Sequence, residues 1–238
     1  MLSFAASQDI SRHRGVPPVP RTAPGTPPQD SIQITDSSPQ ATDAPRATAR
    51  RQQILNAAAQ CFREHGFHGA SIAQISKSAG MSAGHIYHYF ENKEAIIAAI
   101  VAQDLETLLT LTAELRAACN VRHALIERAA EGVLDQLDPD SAALKVEIVA
   151  EAARNSHVAQ IVREADATCR RELMVTIRAI RSAAGHDDTP EATADMVEVL
   201  AALFEGLLLR TIRNPELDRK HVAQRIQLAI NDLLDQPG

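Results

Sequence analysis

The chain has 238 residues, 45% of them apolar, enough to bury the core of one large domain or two small ones. Aromatic residues make up only 3%, with no Trp, while Ala, Leu, Ile, Glu and Arg recur throughout; this excludes a β-sandwich composition and predicts an all-α protein. A formal charge of −6 would count against a nucleic-acid partner if it were evenly spread, but residues 1–45 carry 3 basic and 4 acidic groups, residues 46–95 carry 6 and 3, and residues 96–238 carry 15 and 23.

A short basic segment therefore precedes a long acidic one, as expected when one part meets phosphates and the other does not. Cys61, Cys119 and Cys169 lie far apart without CxxC spacing, so neither a disulfide framework nor a zinc site is indicated, and buried thiols in a reducing compartment are expected. No uninterrupted apolar run reaches the roughly 18 to 20 residues of a membrane span, and the start has no signal-peptide pattern. The expectation is a cytoplasmic protein with no membrane partner.

Residues 1–45 hold eight of the twelve prolines among Ser, Thr, Gln and Asp, and are expected to be a disordered tail. An upstream extension from a misassigned start would look the same. From Arg46 the period becomes 3.6: Ile54, Leu55, Ala58, Cys61 and Phe62 share one stripe, and Gly66 supplies a stop. Ser71 then offers an N-cap for a short helix over 72–79, Gly80 fits a tight turn, and Ser82 caps a third short helix ending near Phe90. Two short helices joined by a glycine turn make a helix-turn-helix, predicted over 46–92. Asn92 caps a longer helix carrying Ile96, Ile97, Ile100, Val101, Leu105, Leu108 and Leu109 on its apolar side. Further helices are predicted over 121–137, 141–154, 157–184, 190–212 and 218–234, with Pro139, Gly185, Pro190 and Pro215 at the boundaries.

The segment 71–94 carries Ser71, Ile75, Ala79-Gly80, Ser82, Gly84, Tyr87, Tyr89-Phe90 and Lys93-Glu94, preceded by Phe62, Gly66 and Phe67 at the end of the first helix. At these spacings it closely resembles the DNA-binding signature of the TetR (tetracycline repressor) family. The chemistry of the segment agrees with that resemblance. Ser82, Ala83, Gly84 and His85 present small and polar groups where a recognition helix meets base edges, and Gly84 would admit a close backbone approach. Arg50, Ser71, Tyr87, Tyr89 and Lys93 are expected to hold phosphates, while Ala83, His85 and His88 read sequence. Phe90 and Ile86 read better as core residues than as DNA contacts, and for Tyr89 the two readings balance. His85 and His88 have no third ligand at matching spacing, so no metal and no cofactor are expected.

Further along, Glu151 to Asn155 and Phe204 to Leu207 resemble the C-terminal domains of betaine-repressor-type and drug-responsive members of that family. The resemblance implies that residues 93–238 bind an effector and dimerise. It assigns a homodimer interface to Met196, Leu200, Leu203, Leu207, Val222, Ile226, Ile230 and Leu233. Leu105, Leu108, Thr112, Glu147, Glu151, Arg154, His157, Met174 and Phe204 are candidates for the effector pocket. A buried Glu147 or Glu151 would favour a cationic ligand, but the leading reading is that these carboxylates are exposed or paired with a nearby arginine. The expected function is a ligand-responsive regulator, by family habit a repressor, on a palindromic double-stranded operator. An enzyme is not expected, since GxSxG, HExxH and a phosphate loop are all missing. The alternative is a helical interaction module without sequence-specific DNA binding.

Overall fold

The computed structural model describes residues 43–236, so the predicted tail lies outside the described residues except for its last three. Among the described residues there are nine helices and no strand: α1 (Asp43–Gly69), α2 (Ile72–Ser78), α3 (Ala83–Tyr89), α4 (Lys93–Ala117), α5 (Val121–Gln136), α6 (Pro139–Ala152), α7 (Ser156–Ala183), α8 (Pro190–Arg213) and α9 (Arg219–Asp235).

Short polar side chains set these boundaries. Ser71, Ser82, Asn92, Asn120, Asp138, Asn155, Thr189 and Asp218 each stand in extended backbone before a helix and accept a hydrogen bond from its first turn. Each such cap stabilises its helix by about 1 kcal/mol over alanine. The helix predicted from Ser141 begins two residues earlier, because Asp138 is the cap and Pro139 takes the first position, where a missing N–H costs nothing. Gly66 breaks α1 as expected, with φ 69° and ψ 167°.

Two buried clusters organise the packing. The first joins α1, α2 and α3 through Ile54, Phe62, Ile75, Ile86 and Phe90, and continues into Ile96 and Ile100 of α4 and Leu144 and Ile148 of α6. The second lies among α5, α7, α8 and α9 around Val133, Ile177, Leu200, Phe204 and Ile230. By length and hydropathy α4 could cross a membrane, although no uninterrupted apolar run marks it in the sequence. Here its buried residues pack against neighbouring helices, most extensively α7. The thiols depart from expectation: Cys61 is buried, but Cys119 is exposed and Cys169 half-buried, and all three are free.

The helix-turn-helix end is fastened to the rest around one residue, Phe67. After Gly66 turns the chain, the Phe67 N–H donates to Glu147 Oε1 of α6 at 2.5 Å. On the other side Lys93 Nζ, at the start of α4, donates to the carbonyls of Phe67 at 2.6 Å and Ala70 at 2.9 Å, and lies 4.4 Å from the Phe67 ring centroid. A Cβ at residue 66 would come 3.2 Å from Glu147 Oε1, so glycine here serves both the turn and the approach of α6. His68 Nε2 and Glu151 Oε2, 3.0 Å apart, extend the junction by one turn of α6.

A second polar element crosses the core. Asp104 of α4 and Lys145 of α6 are both buried, and Lys145 Nζ donates to Gln136 Oε1 at 2.9 Å. Asp104 Oδ1 has no hydrogen-bond partner. Burial pushes the Asp104 carboxyl up to about 6 against the pull of Lys145, and burial brings the Lys145 ammonium down to about 8.

Two outcomes follow. Lys93→Met removes the donors that satisfy two carbonyls and should cost about 1–3 kcal/mol, read as earlier hydrogen exchange or proteolysis at 66–71; unchanged protection there would show that the clamp is dispensable. The raised Asp104 pKa means that the folded chain keeps a proton which the unfolded chain gives up. Its contribution to stability is complete below about 4 and lost as pH rises through about 6. Asp104→Asn should therefore flatten the dependence of thermal stability on pH across that window, and a wild-type slope in the variant would place the titration elsewhere.

Candidate nucleic-acid interface and effector cavity

The turn between α2 and α3 is built by caps and backbone hydrogen bonds from Ser71 to Ser82. Ser71 and Gln74 form a reciprocal cap: Ser71 N–H donates to Gln74 Oε1 at 2.7 Å and Gln74 N–H donates to Ser71 Oγ at 3.2 Å. At the other end Gly80 has φ 64°, and Met81 N–H donates back to the Ser76 carbonyl at 2.9 Å. Ser82 Oγ then receives the His85 N–H at 3.2 Å and starts α3. Gln53 of α1 donates to the Ala79 carbonyl at 2.7 Å, tying the turn to the long helix behind it.

Ile86 and Phe90 anchor α3 inward, as the sequence predicts. The outer face then carries Ser82, Ala83, Gly84, His85, Tyr87 and His88, all exposed, with Tyr87 at 56%. His85 and His88 each meet Tyr89 edge-on, at ring-centroid distances of 5.4 and 5.3 Å, so half-buried Tyr89 orients both imidazoles. A Cβ at Gly84 would meet nothing within 4 Å, so no contact inside the chain calls for glycine there. Arg50 lies exposed on α1 and donates to Gln53 at 3.1 Å. Arg51 lies over the Phe90 ring at 5.1 Å.

Lys93 departs from the sequence expectation of a phosphate contact. Its ammonium is directed at two carbonyls and the Phe67 ring, so its first task is to position the segment behind α2. The sequence could not show this, because the acceptors are backbone groups more than twenty residues away.

A cavity of about 100 Å³ lies among α4, α5, α7, α8 and α9. Of the residues expected there, Leu108, Thr112 and Phe204 line it. Leu105 instead packs against the helix-turn-helix core, and Met174 against the second cluster. Glu147 and Glu151 are spent on the α1–α6 junction, with Glu151 also 3.5 Å from the exposed Arg154. His157 is exposed at the start of α7. Neither carboxylate lines this cavity, which sides with the leading reading that they are paired elsewhere: Glu151 lies beside His68 and Arg154, and Glu147 accepts from the Phe67 N–H.

The wall that the sequence reading missed is largely α5, through Leu125, Arg128, Ala129, Gly132 and Gln136. These positions recur at helical spacing, and the small Ala129 and Gly132 within that stripe were the available signal. Gly132 also lets α8 approach, since a Cβ there would come 3.2 Å from the Phe204 ring.

The residues expected at a dimer interface are placed differently from that expectation as well. Leu200 and Ile230 line the cavity, and Met196 and Leu207 belong to the chain's own core. Val222, Ile226 and Leu233 are half-buried against that core, and Leu203 is half-buried on α8. The apolar side chains left open on these helices are Val199, Leu209, Ile212 and Leu228. On α8, Val199, Ala202, Gly206 and Leu209 follow one another at helical spacing, and Gly206 has open space where a Cβ would stand.

Comparison with known proteins agrees with this architecture. Residues 54–100 match the family described as bacterial regulatory proteins, tetR family, and residues 122–235 match the BetI-type transcriptional repressor C-terminal domain. The chain is 34% identical over 170 residues to the HTH-type transcriptional regulator BetI of Escherichia coli (strain K12), covering 68% of this chain and 81% of that protein. It is 38% identical over 117 residues to the regulator UidR of the same strain, covering 49% of this chain but only 59% of UidR. Among solved structures, Salmonella enterica GusR superposes with a TM-score of 0.66 at 29% identity, covering 79% of this chain and 96% of GusR. These relatives lend no support to the alternative of a bare interaction module. From the helix-turn-helix match and the BetI likeness across both halves, the chain belongs to the tetR family of bacterial regulatory proteins, with a C-terminal domain of the BetI type.

Proposed function

We propose that the chain is a ligand-responsive transcriptional repressor that binds a palindromic operator as a cytoplasmic homodimer and leaves it when a small molecule fills the cavity. The observation that carries this reading is the exposed face of α3. Its start is free of bulky side chains, and Gly84, the second residue of α3, is a glycine that no contact inside the chain requires. Glycine is less favourable in a helix than alanine, by up to about 0.5–1 kcal/mol in its middle, so a demand from outside the chain accounts for it: close approach to DNA. Ser82, Ala83, His85 and His88 would face base edges, while Arg50, Ser71 and Tyr87 hold phosphates and fix the register.

Two such faces are needed for a palindrome, spaced about 34–36 Å apart. The open stripe of Val199, Ala202, Gly206 and Leu209 on α8, with Leu228 on α9, supplies a surface that a two-fold mate would cover. Gly206 would let the two α8 helices cross closely.

The release mechanism runs through α4 and α6. Leu108 and Thr112 of α4 line the cavity, and Lys93 at the other end of the same helix holds Phe67. Gln136, also in the cavity wall, accepts from Lys145 on α6, and two residues on Glu147 holds the N–H of the same residue, Phe67. A ligand that displaces either helix moves the base of the helix-turn-helix and so changes the separation of the two recognition helices.

Site selection from genomic fragments at two salt concentrations tests the reading: a palindromic, salt-sensitive site is expected, and no enrichment at either salt would sink it. Gly84→Ala should melt at the same temperature as the wild type or higher yet bind that operator at least tenfold more weakly; wild-type affinity would remove the argument from glycine. In sedimentation, Leu209→Glu with Leu228→Glu should give a folded monomer that has lost most operator affinity. A dimer unaffected by both charges would put the interface elsewhere.

A further inference from the structure

We infer that the effector is an uncharged, largely hydrocarbon molecule carrying one hydrogen-bond acceptor, held with that acceptor against the Gln136 amide; this rests on the reading of the α4–α5–α8 cavity as the effector site. Leucines dominate the wall, among them Leu108, Leu111, Leu125 and Leu200. Phe204 is the single aromatic side chain there, and a quaternary ammonium held without a carboxylate calls for several aromatic faces around it. No carboxylate lines the cavity either, since Glu147 and Glu151 are committed to the α1 junction. A cation would enter without compensation.

An anion fares no better. The charged residue in the wall is Arg128, which is bound to Glu131 and Glu114 and partly exposed. Lys145 does not line the cavity; it donates to Gln136, and the nearby Asp104 offsets its charge. A carboxylate in the cavity would therefore be buried with no free counter-charge. Sugars are disfavoured by the scarcity of polar partners: apart from Arg128, the polar side chains in the wall are Thr107, Thr112 and Gln136, and the Thr112 hydroxyl already donates to the Leu109 carbonyl. Several ring hydroxyls would be stranded.

Gln136 has a fixed orientation. Lys145 can only donate, so the oxygen of the amide must face Lys145, and the NH₂ group is the one left for the cavity. It is a buried donor in an apolar wall, and it matches a ketone, ester or ether oxygen. A cavity of about 100 Å³ sets the scale of the buried part, with the remainder extending toward partly exposed Arg128. Cavities of comparable size lined by aliphatic side chains stay dry and take small apolar guests.

Calorimetric titration of the full chain with heptan-2-one, heptanoate, choline and methyl glucuronide tests this. The ketone should bind at least tenfold more tightly than the other three. Gln136→Glu keeps an acceptor for Lys145 but removes the donor facing the cavity, and should weaken the ketone about fivefold, the ordinary worth of one hydrogen bond. Ala129→Leu fills the cavity and should abolish ketone binding. If choline, heptanoate or the glucuronide binds more tightly and Ala129→Leu abolishes that binding, the cavity is the effector site and the inferred class is wrong. Ketone binding that survives Ala129→Leu would overturn the site itself, and no ketone binding at millimolar concentration would overturn the class.

Discussion

Phe67, just past the glycine turn, is held from two directions, its N–H by Glu147 of α6 and its carbonyl by Lys93 of α4. Everything that presents α3 outward lies on one side of this clamp, and everything that could register a ligand lies on the other. The positive-φ glycine interrupts the helical hydrogen-bond ladder, so backbone groups just beyond it need partners from elsewhere. Here the Phe67 N–H and the Phe67 and Ala70 carbonyls are satisfied by side chains from two different helices. The end of α1 thereby becomes a joint between the two halves, and its position depends on where α4 and α6 sit.

This arrangement explains why charged residues occupy places where hydrocarbon would pack as well. Lys93 and Glu147 each complete a backbone hydrogen bond, and Glu151 is buried because His68 and Arg154 reach it from the surface. The Asp104–Lys145 pair is more costly, since both groups lose hydration and Asp104 Oδ1 goes unpaired. An apolar pair would pack there without that penalty. The polar one couples α4 to α6 through the attraction between Asp104 and Lys145, and α6 to the cavity-lining Gln136 through a hydrogen bond, so a shift of one helix is felt by the others.

The α5 wall shows how a pocket differs from a core. Ala129 and Gly132 are too small to fill the space facing α4 and α8, and the Phe204 ring takes only part of it. The remainder is open volume in an otherwise close-packed cluster. The proposed dimer surface follows a different logic: most apolar residues of α8 and α9 turn into the chain's own core, while Ala202 and Gly206 remain outside beside the exposed Val199 and Leu209.

Local chemistry fixed the helix-turn-helix in the sequence itself. Ser71, Ser82 and Asn92 cap their helices from a few residues away, Gly66 and Gly80 adopt backbone conformations that other residues resist, and the 3.6-residue period marks Ile75 and Ile86 as inward-facing. The composition, free of strand signals, carried the all-α class for the same reason, because helix formation depends on neighbours three and four residues apart. What only the tertiary structure decided are interactions between residues far apart in the chain: Lys93 turned to Phe67 and Ala70, Glu147 and Glu151 drawn out of the expected pocket, α5 promoted to its wall, and Leu200 and Ile230 taken from the expected dimer face into the cavity lining. A periodic pattern shows that a residue is buried; which partner buries it depends on how helices cross, and no short stretch of sequence encodes that.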